Sequence, residues 1–272
     1  MLKGFFELLR PVNCLMASIG AMIGAFAGMN GVFLDAQVLL AMASAFAICG
    51  AGQAINDYFD LRVDAKKNPG RPVPSGKISP KTALLFSSGL FATGLILAGF
   101  VNASALAIAA AFSGLLFVYS WKMKKVKILG NIVVSLATAF TLLFGASVAA
   151  DYSLAVFFAA SAFFASMGRE ITKDFEDKKA DEGEKKSIAH VLPQKTISFL
   201  AALFYALAFT ISAWLWFSGT LNNILYVFSI SLGGIVFLGS AVSLMRGNAG
   251  LAQRLSKAGM ALSLIGFIFG VV

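Results

Sequence analysis

Histidine and cysteine are scarce in this 272-residue sequence, which contains one histidine, His190, and two cysteines, Cys14 and Cys49. A single histidine excludes a histidine-based metal centre and leaves a Ser-His-Asp triad without a strong candidate. The two cysteines lie in separate apolar runs, far from any metal-ligand spacing. Cysteines in such surroundings act as small packing residues, so the chemistry of this chain has to be sought elsewhere.

Charged residues are also few, at 13% of the chain, whereas a soluble domain carries about 25%. Hydrophobic residues make up 58% and occur in blocks of about 20, the length that crosses a bilayer core. Helices are the only plausible spanning structure for such blocks. We predict an all-α, polytopic membrane protein whose nine transmembrane helices cover residues 11–29, 36–56, 82–101, 103–120, 128–150, 153–172, 196–217, 222–245 and 252–272.

The basic residues are placed asymmetrically about these spans. Counted with the adjoining helix ends, all 22 Lys and Arg residues fall on one side, and the other side holds Asp35 and Asp151 without a basic residue. The basic side comprises the N-terminus and the loops 57–81, 121–127, 173–195 and 246–251. The positive-inside rule puts this side in the cytoplasm of a cell membrane. The net charge of +9 therefore indicates anionic membrane lipids and anionic substrates, and not nucleic acid.

An acidic pattern, D-x-x-D-x-x-x-D, occurs twice, each time after a long apolar run. The first copy is Asp57, Asp60 and Asp64, and the second is Asp174, Asp177 and Asp181. On an α-helix, positions i, i+3 and i+7 lie within about 60° of one another, so each copy predicts one stripe of carboxylates. Two such stripes repel unless a cation lies between them, and Mg²⁺ holding a phosphorylated ligand is the obvious candidate. The alternative is a solvated helix end whose acids are balanced by neighbouring lysines.

Asn56 extends the first stripe, because Asn56, Asp60 and Asp64 are spaced i, i+4, i+8. Oxygen ligands of this kind suit Mg²⁺, which uses a few carboxylates together with waters and substrate phosphates. The predicted metal ligands are Asn56, Asp57, Asp60, Asp64, Asp174, Asp177 and Asp181.

Basic residues near both motifs are candidates for binding a diphosphate. Arg71 lies between prolines in the turn-rich segment 68–76, and arginine suits bidentate phosphate binding. The other candidates are Lys67, Lys122, Arg169 and Lys173. The alternative is that the lysines only set the topology, and that Arg169 and Lys173 neutralise nearby acids.

The repeated motif also predicts an internal duplication within a single domain, 1–272. The first copy ends the second span, the second copy ends the sixth, and a basic polar loop follows each. We predict two four-helix pseudo-repeats, at about 1–127 and 128–245, followed by one additional span.

Four segments together resemble the UbiA superfamily of intramembrane prenyltransferases. They are NDYFDLRVD (56–64), NPGRPVPSG (68–76), YSWKMKK (119–125) and REITKDFEDKKAD (169–181). The resemblance implies nine transmembrane helices around a central cavity, and Mg²⁺-dependent transfer of a polyprenyl group from its diphosphate to an acceptor. It assigns metal binding and catalysis to Asp60 and Asp64 with Asn56, and to the pair Asp177 and Asp181. It assigns diphosphate binding to Arg71 and Lys122.

The acceptor remains open at this point. The second motif most resembles archaeal members that join a geranylgeranyl group to geranylgeranylglyceryl phosphate in ether-lipid synthesis. The alternative within the family is an aromatic acceptor of the hydroxybenzoate or naphthoate type, for quinone synthesis. Outside the family, a CDP-alcohol phosphotransferase would need Gly and Ala-Arg between its aspartates, which neither copy has. A cation transporter would hold its acids near the bilayer midplane, whereas these lie at helix ends.

Overall fold

Eleven α-helices and two short 3₁₀ turns form the regular structure of residues 2–122, 129–179 and 188–272, which the computed structural model describes. The helices are α1 (Leu2–Leu9), α2 (Pro11–Met29), α3 (Ala36–Phe59), α4 (Leu61–Lys67), α5 (Pro80–Val101), α6 (Ala103–Trp121), α7 (Leu129–Ala146), α8 (Ala155–Glu176), α9 (Gln194–Phe217), α10 (Ile224–Met245) and α11 (Ala249–Gly270). The 3₁₀ turns are Asp177–Lys179 and Ile188–His190.

Seven of the described helices are long and apolar enough to cross a membrane, namely α2, α3, α5, α6, α7, α9 and α10. Helices α8 and α11 are also 22 residues long, but charged side chains such as Lys173 and Arg254 lower their apolar character. The structure therefore confirms an all-α, multi-pass membrane protein. It does not confirm the predicted count of nine spans, because α8 and α11 do not qualify by composition.

Three of the helix ends differ by three or four residues from the predicted span ends. Helix α3 continues to Phe59 and α8 continues to Glu176, because the backbone ladder runs on after the apolar sequence stops. At the end of α3, for example, the Asp60 amide donates to the Asn56 carbonyl at 2.9 Å. Helix α7 ends early, at Ala146, and the following turns include Ala150 with a left-handed φ of 56°.

Side-chain caps set several helix starts. Asp35 accepts a hydrogen bond from the Val38 amide at 2.9 Å and so begins α3. Asn102 caps α6 by accepting from the Ala105 amide at 2.8 Å, and its own amide group donates to the Ser147 carbonyl at 2.6 Å. Asn102 therefore begins one helix and also holds it against the turn that follows α7.

The helices pack as two series of four. In the first series α3 contacts α2, α5 and α6, and in the second α8 contacts α7 and α9, while α10 contacts α9. Helix α11 packs against α10, α8 and α2, and the pairs α2–α7 and α6–α7 join the series. The two motif-bearing helices, α3 and α8, thus come second in their series. The pseudo-repeat itself stays a prediction.

Helix α1 was not predicted, and it supports the segment 68–79. Leu8 is fully buried beside Val73 and Ile78, and a Cβ added at Gly4 would lie 3.1 Å from the Ile78 side chain. The Glu7 carboxylate accepts from the Lys77 ammonium at 3.2 Å. As predicted for 68–76, this segment consists of turns, which continue to residue 78, and α1 gives them a surface on which to pack.

Helices α2 and α7 touch through two glycines. A Cβ added at Gly24 would overlap the backbone carbonyl of Leu142, and one at Gly145 would overlap the carbonyl of Ala21. Close approach of this kind is available only to residues without a side chain, and small residues provide it at helix contacts in membranes. At these two positions α2 and α7 therefore meet backbone against backbone.

The substitution Gly24→Ala is expected to lower the thermal unfolding midpoint of the protein in detergent. The new methyl group would meet backbone, which cannot rotate away, and overpacking of a close contact costs about 1–3 kcal/mol. Gly114→Ala in α6 is the matched control, because nothing lies within 4 Å of a Cβ at that position. Equal midpoints for the two variants would contradict the packing described for α2 and α7.

Candidate active site

The first acidic motif spans the junction of α3 and α4. Asp60 separates the two helices, with φ −85° and ψ 2°, yet its carbonyl still accepts from the Asp64 amide at 2.8 Å. The predicted single stripe is therefore interrupted at Asp60 while the ladder of backbone bonds continues. The Asn56 side-chain amide donates to the Asp60 carboxylate at 3.2 Å, so these two predicted ligands lie side by side.

Arg71 folds back onto this motif from segment 68–79. Its guanidinium lies 2.5 Å from Oδ2 of Asp64 and 3.7 Å from Oδ1 of Asp57. Both carboxylates are buried, with 4% of Asp64 and 1% of Asp57 exposed. Burial of two neighbouring carboxylates is favourable only if cations accompany them, and Arg71 supplies one positive charge.

Arg10 supplies a second cation, which the sequence interpretation missed. Its Nη2 atom lies 2.5 Å from Oδ1 of Asp57. Arg10 is the residue before α2 and has a left-handed backbone with φ 50°. Arg10 stands directly before the first apolar run, and this placement could have marked it as a candidate. No sequence pattern, however, links that position to Asp57.

The second motif leaves the α-helix partway through. Asp174 lies within α8, which ends at Glu176, and Asp177 begins the 3₁₀ turn. The Asp177 amide still donates to the Lys173 carbonyl, so Asp177 keeps the α-helical spacing from Asp174, and the winding tightens only beyond it. Asp181, the third member, lies outside the described residues.

Asn131 binds the second motif and was also missed. It lies in the first turn of α7, and its side-chain amide donates to Oδ2 of Asp174 at 2.8 Å. Both side chains are buried, with 5% of Asn131 and 9% of Asp174 exposed. The sequence feature that could have identified Asn131 is its position as the one amide side chain in the apolar run ILGNIVV.

Tyr119 marks the place where the two motifs approach each other. Its phenol group at the end of α6 lies within electrostatic range of Asp60 in the first motif, and of Glu170 and Asp174 in α8. Its hydroxyl group also faces the start of α7, where a Cβ added at Gly130 would lie 3.3 Å away. Asp60 of the first copy and Asp174 of the second therefore both lie near this side chain.

The predicted diphosphate-binding residues occupy different surroundings. Arg169 lies 2.7 Å from the carboxylate of Glu170, so it neutralises that buried acid, and Lys173 is half-buried in α8. Lys122 is exposed and places its ammonium 4.0 Å from the centre of the Trp121 ring. Lys67 ends α4, and its side chain lies outside the described part of the chain. Among the predicted cations whose side chains are described, Arg71 contacts the first motif directly.

The donor set fits a magnesium ion that is shared with a phosphorylated ligand. Among the described residues, no three His, Cys, Asp or Glu side chains converge closely enough to form a metal site of protein ligands alone. Mg²⁺ seldom needs one, because it keeps several waters and binds one or two carboxylates together with substrate phosphates. Asn56, Asp60 and Asp177 offer the oxygen ligands that this mode requires. The ligand assignments themselves stay predictions.

A shallow, open depression lies beside Arg71. Its volume is about 350 Å³, and it is lined by Glu7, Asn68, Gly70, Arg71 and Pro72. The guanidinium of Arg71 therefore faces both the buried carboxylates and a space that is open to solvent.

Comparison with known proteins agrees with this geometry. The model of the UbiA prenyltransferase family matches residues 17–265. Digeranylgeranylglyceryl phosphate synthase of Methanopyrus kandleri is 36% identical over 269 residues, covering 98% of each chain. A solved structure described as digeranylgeranylglyceryl phosphate synthase in membranes superposes with a TM-score of 0.84 at 33% identity, covering 99% of this chain and 98% of the other.

A more distant structure shares the fold alone. The UbiA homologue from Archaeoglobus fulgidus bound to GPP and Mg²⁺ has a TM-score of 0.71 at 17% identity, covering 96% of this chain and 99% of the other. The family match excludes the CDP-alcohol phosphotransferase and transporter alternatives. With a family model matched over most of its length and a relative 36% identical from end to end, this chain belongs to the UbiA prenyltransferase family and is a prenyltransferase.

Proposed function

We propose that this enzyme joins a geranylgeranyl group from its diphosphate to geranylgeranylglyceryl phosphate, in archaeal ether-lipid synthesis. The observation that carries this proposal is the approach of both acidic motifs to Tyr119, with Arg71 beside them. The names of the relatives supply the acceptor: three that are at least 35% identical are digeranylgeranylglyceryl phosphate synthases.

The described residues suit the departure of a diphosphate. The residues that would hold Mg²⁺ are Asn56, Asp60 and Asp64 in the first motif, and Asp177 and Asp181 in the second. Bound Mg²⁺ would neutralise the charge that builds on the departing diphosphate. Arg71 presents a planar guanidinium that binds phosphate oxygens in pairs, and the depression beside it is open to a ligand.

The reaction exchanges one C–O bond for another. The bond between the allylic carbon and the diphosphate breaks, the acceptor hydroxyl oxygen bonds to that carbon, and the hydroxyl proton leaves. Water would capture the allylic cation, so the cation must form where water is excluded. The apolar interior of the helix bundle provides such a place. A row of rings runs from the first motif to the surface of α6, with centroids of Tyr58–Phe59 at 5.0 Å, Phe59–Phe117 at 5.9 Å and Phe117–Trp121 at 6.4 Å. Aromatic faces of this kind can stabilise a cation.

The proposed function also implies an arrangement of the helices in the membrane. All nine long helices, including α8 and α11, span the membrane around a central cavity, and the motif ends face the cytoplasm. The charges of α8 lie in its last turns, from Arg169 to Glu176, and those of α11 in its first turns, at Arg254 and Lys257. Charges at these positions would sit at the membrane–water boundary, where they cost little. The 22 basic residues on that side support a cytoplasmic orientation.

The acceptor is tested by a product assay. Purified enzyme given geranylgeranyl diphosphate, Mg²⁺ and geranylgeranylglyceryl phosphate is expected to yield a product heavier by one geranylgeranyl group, because both substrates present phosphates to a cationic site. A parallel reaction with 4-hydroxybenzoate is expected to yield none. Mass spectrometry measures both products.

The opposite pattern, with a prenylated aromatic acid and no prenylated glycerol phosphate, would refute the acceptor and favour quinone synthesis. A reaction without donor controls for contaminating lipids of similar mass.

A further inference from the structure

We infer that Asp57 and Asp174 are positioning residues, which tie each motif-bearing helix to the start of the helix before it and bind no metal themselves. This inference rests on the proposed function, since it concerns how the proposed metal ligands are held. The sequence prediction had placed both residues among the metal ligands.

The first tether is the ion pair between Arg10 and Asp57, at 2.5 Å. It joins the residue before α2 to the last turn of α3. Arg10 has a left-handed backbone, which is unfavourable for a non-glycine residue and persists only where the surroundings enforce it. The contact with a carboxylate that is 1% exposed is such a constraint.

The charges around Asp57 disfavour a metal on the same group. Oδ1 of Asp57 already lies 2.5 Å from Arg10 and 3.7 Å from Arg71. A divalent cation at bonding distance from this carboxylate would lie close to two guanidinium groups, and like charges at such separations repel strongly at a buried site.

The second tether is the hydrogen bond from Asn131 to Asp174, at 2.8 Å. It joins the first turn of α7 to the last turns of α8, in a place where both side chains are buried. The partner here is an amide instead of a guanidinium, but the connection is the same. In each copy the first aspartate of the motif is bonded to the start of the preceding long helix.

The two tethers lie close to the ends of α3 and α8, and this placement indicates their structural role. In each copy regular α-helix stops just after the tethered residue, at Phe59 in α3 and at Glu176 in α8. The direction of the next carboxylates, Asp60 and Asp177, therefore depends on how the helix end is rotated and held. Tethering the aspartate three residues earlier fixes that rotation, as an outer layer of hydrogen bonds does for metal ligands elsewhere.

The second tether permits a swap that separates the two roles. The double variant N131D/D174N places the donor and the acceptor on opposite helices and keeps one hydrogen bond between them. Mn²⁺ is used in place of Mg²⁺, and inorganic diphosphate is supplied as the phosphorylated ligand that shares the ion. The electron paramagnetic resonance signal of free Mn²⁺ then reports binding to the purified chain without any turnover, with diphosphate in the absence of the chain as the blank. Ser135→Ala is the matched control, since Ser135 lies one turn along α7, is buried, and has a hydroxyl without a hydrogen-bond partner among the described residues.

We expect Asn131→Ala to weaken Mn²⁺ binding by about tenfold to a hundredfold, as loss of a positioning partner does. The swap N131D/D174N and the single variant Asp174→Asn, in which Asn131 can still donate, are expected to bind Mn²⁺ as the unchanged chain does. If Asp174 is instead a ligand, Asn131→Ala retains Mn²⁺ binding, while Asp174→Asn and the swap both lose it. That result would overturn the inference, and Asp174→Asn decides the matter should Asn131→Ala fail to fold.

The same measurements distinguish this inference from the proposed function. Tethers that behave as expected in a chain that makes no prenylated glycerol phosphate would contradict the acceptor alone. A chain that makes this product but loses Mn²⁺ binding in the swap would contradict the tethers alone. Absence of Mn²⁺ binding in the unchanged chain would contradict both.

Discussion

Asp60→Ala is expected to abolish prenyl transfer while the chain remains folded in detergent. Asp60 lies at the junction of α3 and α4, beside Asn56 and within range of Tyr119, where both motifs approach. Removal of one group that stabilises developing charge costs about a hundredfold to a thousandfold in rate. A lost metal ligand should reach at least that range, because the metal charge is lost with it. Turnover with geranylgeranyl diphosphate and the thermal unfolding midpoint are measured on the same preparation.

In the second motif, Asp177→Ala is expected to reduce the rate of prenyl transfer as much as Asp60→Ala does. Its matched control is Glu176→Ala, since Glu176 is the adjacent acid, is exposed, and ends α8. Asp151→Ala serves the same purpose for Asp60, as an acid at the opposite end of the bundle. Normal turnover by Asp60→Ala or Asp177→Ala would refute the metal role of that residue. Equal losses in Glu176→Ala would indicate a general effect of charge at this end of α8.

Removal of divalent cations has the second large expected effect. Chelation with EDTA is expected to stop turnover, and added Mg²⁺ is expected to restore it. The physical reason is that three described guanidinium groups already pair with carboxylates: Arg10 with Asp57, Arg71 with Asp64, and Arg169 with Glu170. Because these pairs offset part of the arginine charge, Arg71 alone does not balance a departing diphosphate, and a divalent cation is required as well.

The control for chelation is EDTA that has been saturated with Mg²⁺ beforehand, which should leave turnover unchanged. Activity that persists after thorough chelation would contradict the metal-dependent reaction. Activity that is lost but not restored by Mg²⁺ would indicate a different metal or irreversible damage, and the unfolding midpoint separates those two outcomes.

Elements that depend on local sequence were predicted well. The apolar run 103–120 gave α6, observed as Ala103–Trp121, and the prolines and glycines after Lys67 gave the turns of segment 68–79. The acidic spacing predicted that Asn56 and Asp60 would be neighbours, and their side chains are hydrogen-bonded. Each of these predictions needs only the period of a helix or the conformational limits of proline and glycine.

Features that depend on contacts between distant segments were missed. Arg10 meets Asp57, and Asn131 meets Asp174, across pairs of helices whose register no local pattern encodes. The change from α-helix to 3₁₀ winding at Asp177 is equally invisible to spacing rules, which assume one continuous helix. Charge in α8 also made its apolar run end early in the prediction, although the backbone ladder continues to Glu176.

Helix α1 has a practical consequence for anyone who shortens this chain. Gly4 and Leu8 pack against the turns that carry Arg71, and Glu7 holds Lys77. Deletion of residues 2–9, made to improve the sample, would remove the surface on which those turns pack. It would disturb Arg71 about as directly as a mutation in the active site. A truncated protein with poor activity would then report a displaced arginine and not a defective catalyst.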